Sequence, residues 1–161
     1  MTKIKEKNFL QILFILSILI LVSAFIIQYA FGYQPCNLCI IERIPYGLSI
    51  IILFLNYKFR KDQNFYSILL ILVFLFSIII SFYHFGIEQG FIKESAVCAS
   101  NSLDLTTKDD ILNSLKELRI SCKDVAFKIF GLSLTTYNII ISIFMFLIST
   151  KIYLNSNGNK K

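Results

Sequence analysis

The sequence predicts an all-α membrane protein: a bundle of four transmembrane helices with a long periplasmic loop that carries a short amphipathic helix. The first observation is composition, since 56% of the 161 residues are hydrophobic and only 16% are charged, well outside the usual balance of globular proteins. The second is that the apolar residues fall into long runs separated by short polar stretches. The third is that lysine and arginine gather beside particular ends of these runs. Together these observations predict a single integral membrane domain over residues 1–161.

Four apolar segments account for the predicted helices. Residues 9–27 are almost unbroken apolar sequence, and about 19 helical residues at ~1.5 Å each reach ~28 Å, close to the hydrocarbon thickness of a bilayer. The second span is the weakest, because its strictly apolar core holds only about 12 residues. It reaches full length only if it starts near Cys36. The predicted helices are approximately 9–30, 37–57, 65–87 and 132–154, with the loop at approximately 88–131.

The first segment could instead be a cleavable signal peptide. Three lysines precede it, and residues 22–24, "VSA", resemble a cleavage site. The apolar run continues past Ala24, which favours a retained transmembrane helix over the shorter apolar core of a signal peptide.

The basic residues predict the orientation. Nine of the 16 lysine and arginine residues flank the first helix at the N-terminus, fill the connection between the second and third helices, or lie at the end of the fourth helix and beyond it, whereas the loop after the third helix holds six that are balanced by seven aspartate and glutamate residues. The excess of lysine and arginine in cytoplasmic segments places both termini in the cytoplasm. The net charge of +6 then comes from these flanks, and we predict no nucleic-acid-binding surface.

The periplasmic loop contains a helical pattern. Thr107 with Asp110 three residues later resembles a capping box, and Ile111, Leu115 and Leu118 recur at helical spacing. This pattern predicts a short amphipathic helix that lies on the membrane or on the bundle. A helix that docks a partner protein is the alternative.

All four cysteines fall on the predicted non-cytoplasmic side of the membrane. Cys36 and Cys39 precede the second span, while Cys98 and Cys122 lie in the loop. An even number of cysteines in this position indicates disulfide chemistry in an oxidising compartment. Inert structural bridges are the alternative, and a bridge from Cys98 to Cys122 could simply close the loop. A bridge from Cys36 to Cys39 removes little loop entropy, which favours a redox role for that pair.

Three charged or titratable residues lie near the first cysteine pair. If the second helix begins near Cys36, then Cys36, Cys39 and Arg43 share one face, and the guanidinium and the helix start both favour a thiolate. Glu42 points about 100° away from that face, and we expect it to extend to the lipid headgroups; a contact with Arg43 or with a neighbouring helix is the alternative. His84 lies on the third helix, at about the same membrane depth as Cys39 and Arg43. A purely structural role for this histidine is the alternative.

A thiolate beside an arginine at the lipid boundary suits a flat, lipid-soluble carbonyl compound. The guanidinium would stabilise the oxygen of such a compound as it becomes negative, and this chemistry indicates a quinone. The residue after Cys39 is isoleucine, so the pair does not match a haem-attachment motif. A zinc site built from the four cysteines would lack a second closely spaced pair, and we predict no metal.

Several segments together resemble the bacterial family of the disulfide bond formation protein DsbB. These segments are "PCNLCIIERIP", "FYHFGIEQG", "VCAS" and "SCKDVAFKIFGLSLTTYN", and the resemblance covers most of the chain. It implies a multi-pass protein of the bacterial inner membrane, a thiol:quinone oxidoreductase that reoxidises the periplasmic thiol oxidase DsbA, a thioredoxin-fold protein.

The resemblance also implies a path for electrons. Cys98 would form a mixed disulfide with the soluble DsbA-like partner, and the released Cys122 would attack Cys36. Cys39 would then engage the quinone as a thiolate. Each exchange is the attack of a thiolate on a disulfide sulfur and needs no metal.

The resemblance places Arg43 and His84 beside the quinone, which is ubiquinone or menaquinone. Tryptophans that are common in the family are absent here, with Phe127 and Tyr137 in their place, and this difference concerns partner affinity and loop packing. A relative that serves one dedicated oxidase is an open alternative. A structural or regulatory four-helix protein with inert disulfides is the alternative from another functional class.

Overall fold

The computed structural model describes residues 2–59, 63–94, 98, 121–123, 128–129 and 131–158. The described elements are mostly helical, with one short hairpin. The helices are α1 (Thr2–Tyr29), α2 (Asn37–Ile41), α3 (Ile44–Phe59), α4 (Gln63–Glu88) and α5 (Leu134–Gly158). The strands are β1 (Lys128–Ile129) and β2 (Leu132–Ser133). The predicted amphipathic helix near residues 107–118 lies outside the described residues.

Among the described residues, four helical segments are long and apolar enough to cross a membrane, which confirms the predicted four-helix membrane bundle. These segments are Lys7–Tyr29, Asn37–Phe59, Gln63–Glu88 and Leu134–Asn157. Their outward surfaces carry large exposed apolar side chains, such as Ile15 and Leu147. Such surfaces suit contact with lipid, because a helix already satisfies its own backbone hydrogen bonds.

The second span consists of two helices, α2 and α3, joined by a turn at Glu42 and Arg43. Pro45 explains the break, because it has no N–H to donate to the carbonyl oxygen of Ile41. The Arg43 N–H turns back to the Ile40 carbonyl at 3.1 Å, and Gly47 resumes the regular pattern by donating to the Arg43 carbonyl at 3.2 Å. The first cysteine pair therefore lies on a separate short helix, α2.

The bundle centre combines apolar packing with small polar contacts. Leu70, Phe74 and Met145 are fully buried in the main core. The Ser77 and Ser142 hydroxyls lie 2.8 Å apart between α4 and α5, and Ser17 and Ser49 make the same contact between α1 and α3 at 2.8 Å. Small hydroxyl residues let helices approach closely and join them by hydrogen bonds.

A second buried cluster lies at the end of the bundle that carries the four cysteines, called here the cysteine end. It contains all of Cys36, Leu38, Ile87, Cys98 and Cys122.

The hairpin leads directly into α5. Its antiparallel register pairs Lys128 with Ser133 and Ile129 with Leu132. Gly131, with φ of +82°, supplies the left-handed backbone that so short a connection requires. The hairpin thereby sets where the first turn of α5 begins.

Candidate functional site

Cys36 begins the site because it is the residue that caps α2. Its backbone is extended, with φ −68° and ψ 168°, and its sulfur accepts the Cys39 N–H at 3.2 Å. This cap brings the Cys36 and Cys39 sulfurs to 2.7 Å from each other. The pair is therefore held close to the geometry in which a disulfide forms, with little backbone movement needed.

The second cysteine pair lies beside the first. Cys98 and Cys122 form a disulfide with a Cα–Cα distance of 5.3 Å, within the ordinary range for such bonds. Both residues share the buried cluster with Cys36, which is 6% exposed. The fold thus brings together two cysteine pairs that are about 60 residues apart along the chain.

His84 joins the first pair from α4. Its Nε2 lies 3.6 Å from the Cys36 sulfur, and its Nδ1 lies 3.1 Å from Glu42 Oε1. The expectation that Glu42 extends to the lipid headgroups is wrong, because this side chain is buried against His84. The turn that follows α2 directs the carboxylate inward, and a buried carboxylate needs such a partner.

Three residues to which the sequence reasoning assigned no role extend this arrangement. Thr135 Oγ1 lies 3.3 Å from His84 Nδ1 and donates to Glu88 Oε1 at 2.9 Å. Ser133 donates to the other carboxylate oxygen of Glu88 at 2.7 Å. The sequence signals were the occurrence of Glu88 at the end of a long apolar run and the presence of all three residues in segments that carry the resemblance.

The surroundings of Cys36 favour its thiolate. The pKa of Cys36 is lowered from its ordinary 9.0 to about 5, chiefly by the hydrogen bond with the Cys39 side chain and then by the hydrogen bond and charge of His84, while burial opposes both. The sequence had predicted that Arg43 would favour a thiolate in this pair. In the structure the largest such effect on Cys36 comes from Cys39, with His84 next.

Arg43 faces a different part of the site. Its guanidinium donates to Gln28 Oε1 at 2.6 Å and lies 5.3 Å from the centre of the Phe25 ring. Both contacts fix the arginine against α1. Arg43 and Cys39 both line a cavity of about 340 Å³ between α1, the α2–α3 turn and α5.

The cavity wall is mainly apolar with a few polar groups. The apolar lining includes residues of α1 and α5, and the polar lining includes Tyr137 and Asn138. Glu42 and Glu88 also reach the wall, whereas Cys36 and His84 lie behind it. The structure therefore brings all six predicted site residues to the cysteine end, and it divides them between this cavity and the buried cluster behind it.

Metal binding is the other chemistry that these residues could support. The ligand atoms of Cys36, Cys39 and His84 lie within 4.8 Å of one another. The sulfurs, however, are 2.7 Å apart, whereas two thiolates on one tetrahedral zinc ion lie roughly 3.8 Å apart. The arrangement is closer to that of a disulfide-forming pair.

Comparison with known proteins agrees with this geometry. The family model described as "Disulfide bond formation protein DsbB" matches residues 6–152. The chain is also 34% identical over 155 residues to the uncharacterized protein RP370 of Rickettsia prowazekii (strain Madrid E), covering 92% of this chain and 88% of that protein. No solved structure matches it. The chain therefore belongs to the DsbB family of disulfide bond formation proteins, and is a multi-pass membrane oxidoreductase of disulfide formation.

Proposed function

We propose that this protein is a membrane thiol:quinone oxidoreductase that generates disulfides de novo and reoxidises a periplasmic DsbA-like thiol oxidase. One observation carries the proposal: the two cysteines of the first pair have different surroundings. Cys36 lies in the buried cluster with the Cys98–Cys122 disulfide, while Cys39, which packs against that cluster, also lines the cavity beside Arg43. A pair placed in this way can accept electrons on one side and release them on the other.

The cavity fits a quinone head group. Its surface is mostly apolar, as expected for a ligand that arrives through the bilayer, and Arg43, Tyr137 and Asn138 are among the polar side chains that reach it. Arg43 supplies a planar, permanently charged donor for a carbonyl oxygen, held in place by Gln28 and Phe25. A bound quinone, ubiquinone or menaquinone, would supply an acceptor for two electrons and two protons.

The thiol exchanges balance without any other reagent. A partner thiolate attacks Cys98 and breaks its bond to Cys122, whose thiolate then attacks Cys36 and displaces Cys39. The second thiolate of the partner releases Cys98, and Cys98 in turn attacks Cys122 and frees Cys36. The partner leaves with a disulfide, the second pair is restored, and the first pair holds the two electrons.

His84 remains a proposed member of the quinone site. It lies behind the cavity wall, 3.6 Å from Cys36 and 3.1 Å from Glu42. From this position it would act on a bound quinone through these neighbours. Its direct partner in the first pair is the Cys36 sulfur.

The membrane orientation is part of the proposal. With the nine flanking lysine and arginine residues in the cytoplasm, both termini are cytoplasmic and the cysteine end is periplasmic. The proposed location is the bacterial inner membrane, where the second pair could meet a soluble thiol oxidase and the cavity could exchange quinone with the bilayer.

Quinone absorbance, followed with two electron donors, tests the path. With Cys98 and Cys122 both replaced by serine, a small dithiol should still reduce the first pair and drive quinone reduction, while a DsbA-like protein should not. Cys39→Ser should abolish quinone reduction with both donors, because serine cannot supply a thiolate. Quinone reduction by Cys39→Ser would refute this path, and inactivity of the unaltered protein would favour the alternative of inert disulfides.

A further inference from the structure

A line of hydrogen-bonding groups begins at His84, on the side of its ring that faces away from the cysteines. His84 Nε2 faces the Cys36 sulfur at 3.6 Å, and His84 Nδ1 faces Thr135 Oγ1 at 3.3 Å. Beyond Thr135 lies the Glu88 carboxylate. His84 is 2% exposed and Thr135 is 3% exposed, so this line runs through a buried region.

The direction of each hydrogen bond allows a proton to pass along the line. The Thr135 hydroxyl donates to Glu88 Oε1 at 2.9 Å, so its oxygen lone pairs can accept the Nδ1–H of His84, which also faces Glu42 Oε1 at 3.1 Å. Ser133 donates to Glu88 Oε2, which leaves Oε1 to Thr135. A hydroxyl that accepts on one side and donates on the other can relay a proton between an imidazole and a carboxylate.

Glu88 connects this line with two openings. It lines the cavity that holds Cys39 and Arg43, and it also lines a surface pocket with Gln89 and Lys128. Cys36 lies behind the cavity wall. A proton that leaves the Cys36 thiol therefore needs an intermediary, whereas a proton that leaves Cys39 reaches the cavity directly.

We propose that Thr135 and Glu88 form a proton-exchange branch that connects His84, and through it Cys36, with the cavity and the surface pocket. When the Cys36–Cys39 bond forms, two electrons pass to the acceptor in the cavity. The proton that Cys36 lost on ionising is held by His84, so as the thiolate charge disappears the Nδ1 proton moves to Thr135 and the Thr135 hydroxyl proton moves to Glu88. The same line runs in reverse when the first pair is reduced.

Glu42 has a different part in this arrangement. Its carboxylate lies 3.1 Å from His84 Nδ1 and comes from the same turn that carries Arg43. It orients the imidazole and stabilises the positive charge that the ring carries during transfer. Cys36, Glu42 and, through Thr135, Glu88 are thus the titratable groups arranged around His84 among the described residues.

The chain offers a direct test because His84 is its single histidine. Isotope-labelled histidine in an untagged, detergent-solubilised protein gives one imidazole in the nuclear magnetic resonance spectrum. We expect hydrogen exchange between this ring and water to slow by about tenfold or more in Thr135→Val and in Glu88→Gln. Thr135→Ser, which keeps the hydroxyl, should exchange as the unaltered protein does.

A neighbouring residue gives the matched control. Thr136 contacts the Ser133 hydroxyl at 3.1 Å and does not lie on the line from His84 to Glu88. Thr136→Val should leave the exchange rate unchanged. Unaltered exchange in both Thr135→Val and Glu88→Gln would overturn the proposal, as would equal slowing in Thr135→Ser or Thr136→Val, which would indicate a packing effect.

A kinetic measurement addresses turnover and rests on the proposed function. With a small dithiol as donor, Thr135→Val should lower kcat for quinone reduction and increase the solvent isotope effect, while KM for quinone stays the same. An unchanged kcat and isotope effect in an active protein would contradict a role in turnover. If the unaltered protein reduces no quinone, the proposed function fails, and the exchange measurement on His84 still decides the branch.

Discussion

The ionisation of Cys36 gives the most direct test of the site's electrostatics. The pKa of about 5 means that roughly 99% of the reduced residue is thiolate at pH 7, whereas a thiol with the ordinary value of 9.0 would be roughly 1% thiolate. Ionised Cys36 is a good leaving group when its disulfide is attacked, because a thiol of low pKa leaves faster. The same property makes its protonation state easy to measure.

Two substitutions separate the causes of the low pKa. Cys39→Ala removes the side-chain hydrogen bond that contributes most, and His84→Gln removes the imidazole with its charge. Each should raise the pKa of Cys36 toward 9, and Cys39→Ala should raise it more. Burial raises the pKa of a thiol, and the loss of either partner removes an effect that opposes burial.

The assay is the ultraviolet absorbance of the thiolate, followed as a function of pH. Cys98 and Cys122 are first replaced by serine, so that the reduced protein contains only the thiols of the first pair. The first pair should show one ionisation well below pH 7. A first ionisation above pH 8, or a midpoint that neither Cys39→Ala nor His84→Gln moves, would refute the reasoning from these contacts.

Three further predictions concern the cavity, the bundle and the orientation. Arg43→Lys should raise KM for quinone roughly tenfold with the fold intact, because lysine keeps the charge but loses the planar fork; equal KM values would remove Arg43 from the quinone site. Tyr46→Phe should destabilise the bundle by about 1–3 kcal/mol, because the buried hydroxyl of Tyr46 bonds to two polar side chains of α5; an unchanged unfolding curve in mixed detergent would contradict this. Reporter fusions at Asn64 and Asn159 should read as cytoplasmic and one at Ser102 as periplasmic; a cytoplasmic signal at Ser102 would reverse the orientation.

The transmembrane helices were predictable because the length of an apolar run is a local property of the sequence. The break in the second span was not predicted, although Pro45 carries the signal for it. An apolar run that contains one proline is compatible with a kinked helix as well as with two helices. The hydrogen bonds around Arg43 decide between them.

The inward position of Glu42 depended on contacts that a single segment does not contain. Its partner His84 is 42 residues away in the chain and comes from α4, while Thr135 comes from α5. The sequence indicated that polar groups gather near the first cysteine pair. It did not show which of them face each other, because helix rotation in a membrane bundle is set by packing.

The polar groups of this bundle differ in kind between its centre and its cysteine end. The centre uses hydroxyl pairs such as Ser77 with Ser142, which are neutral and suffice to hold helices together. The cysteine end buries a histidine against a carboxylate, and burying ionisable groups is costly even when they are paired. Helix packing alone does not require that cost. The buried histidine and carboxylate have a reason to be present if a sulfur must change its charge in each cycle. His84 and its carboxylates can then supply or remove the compensating proton.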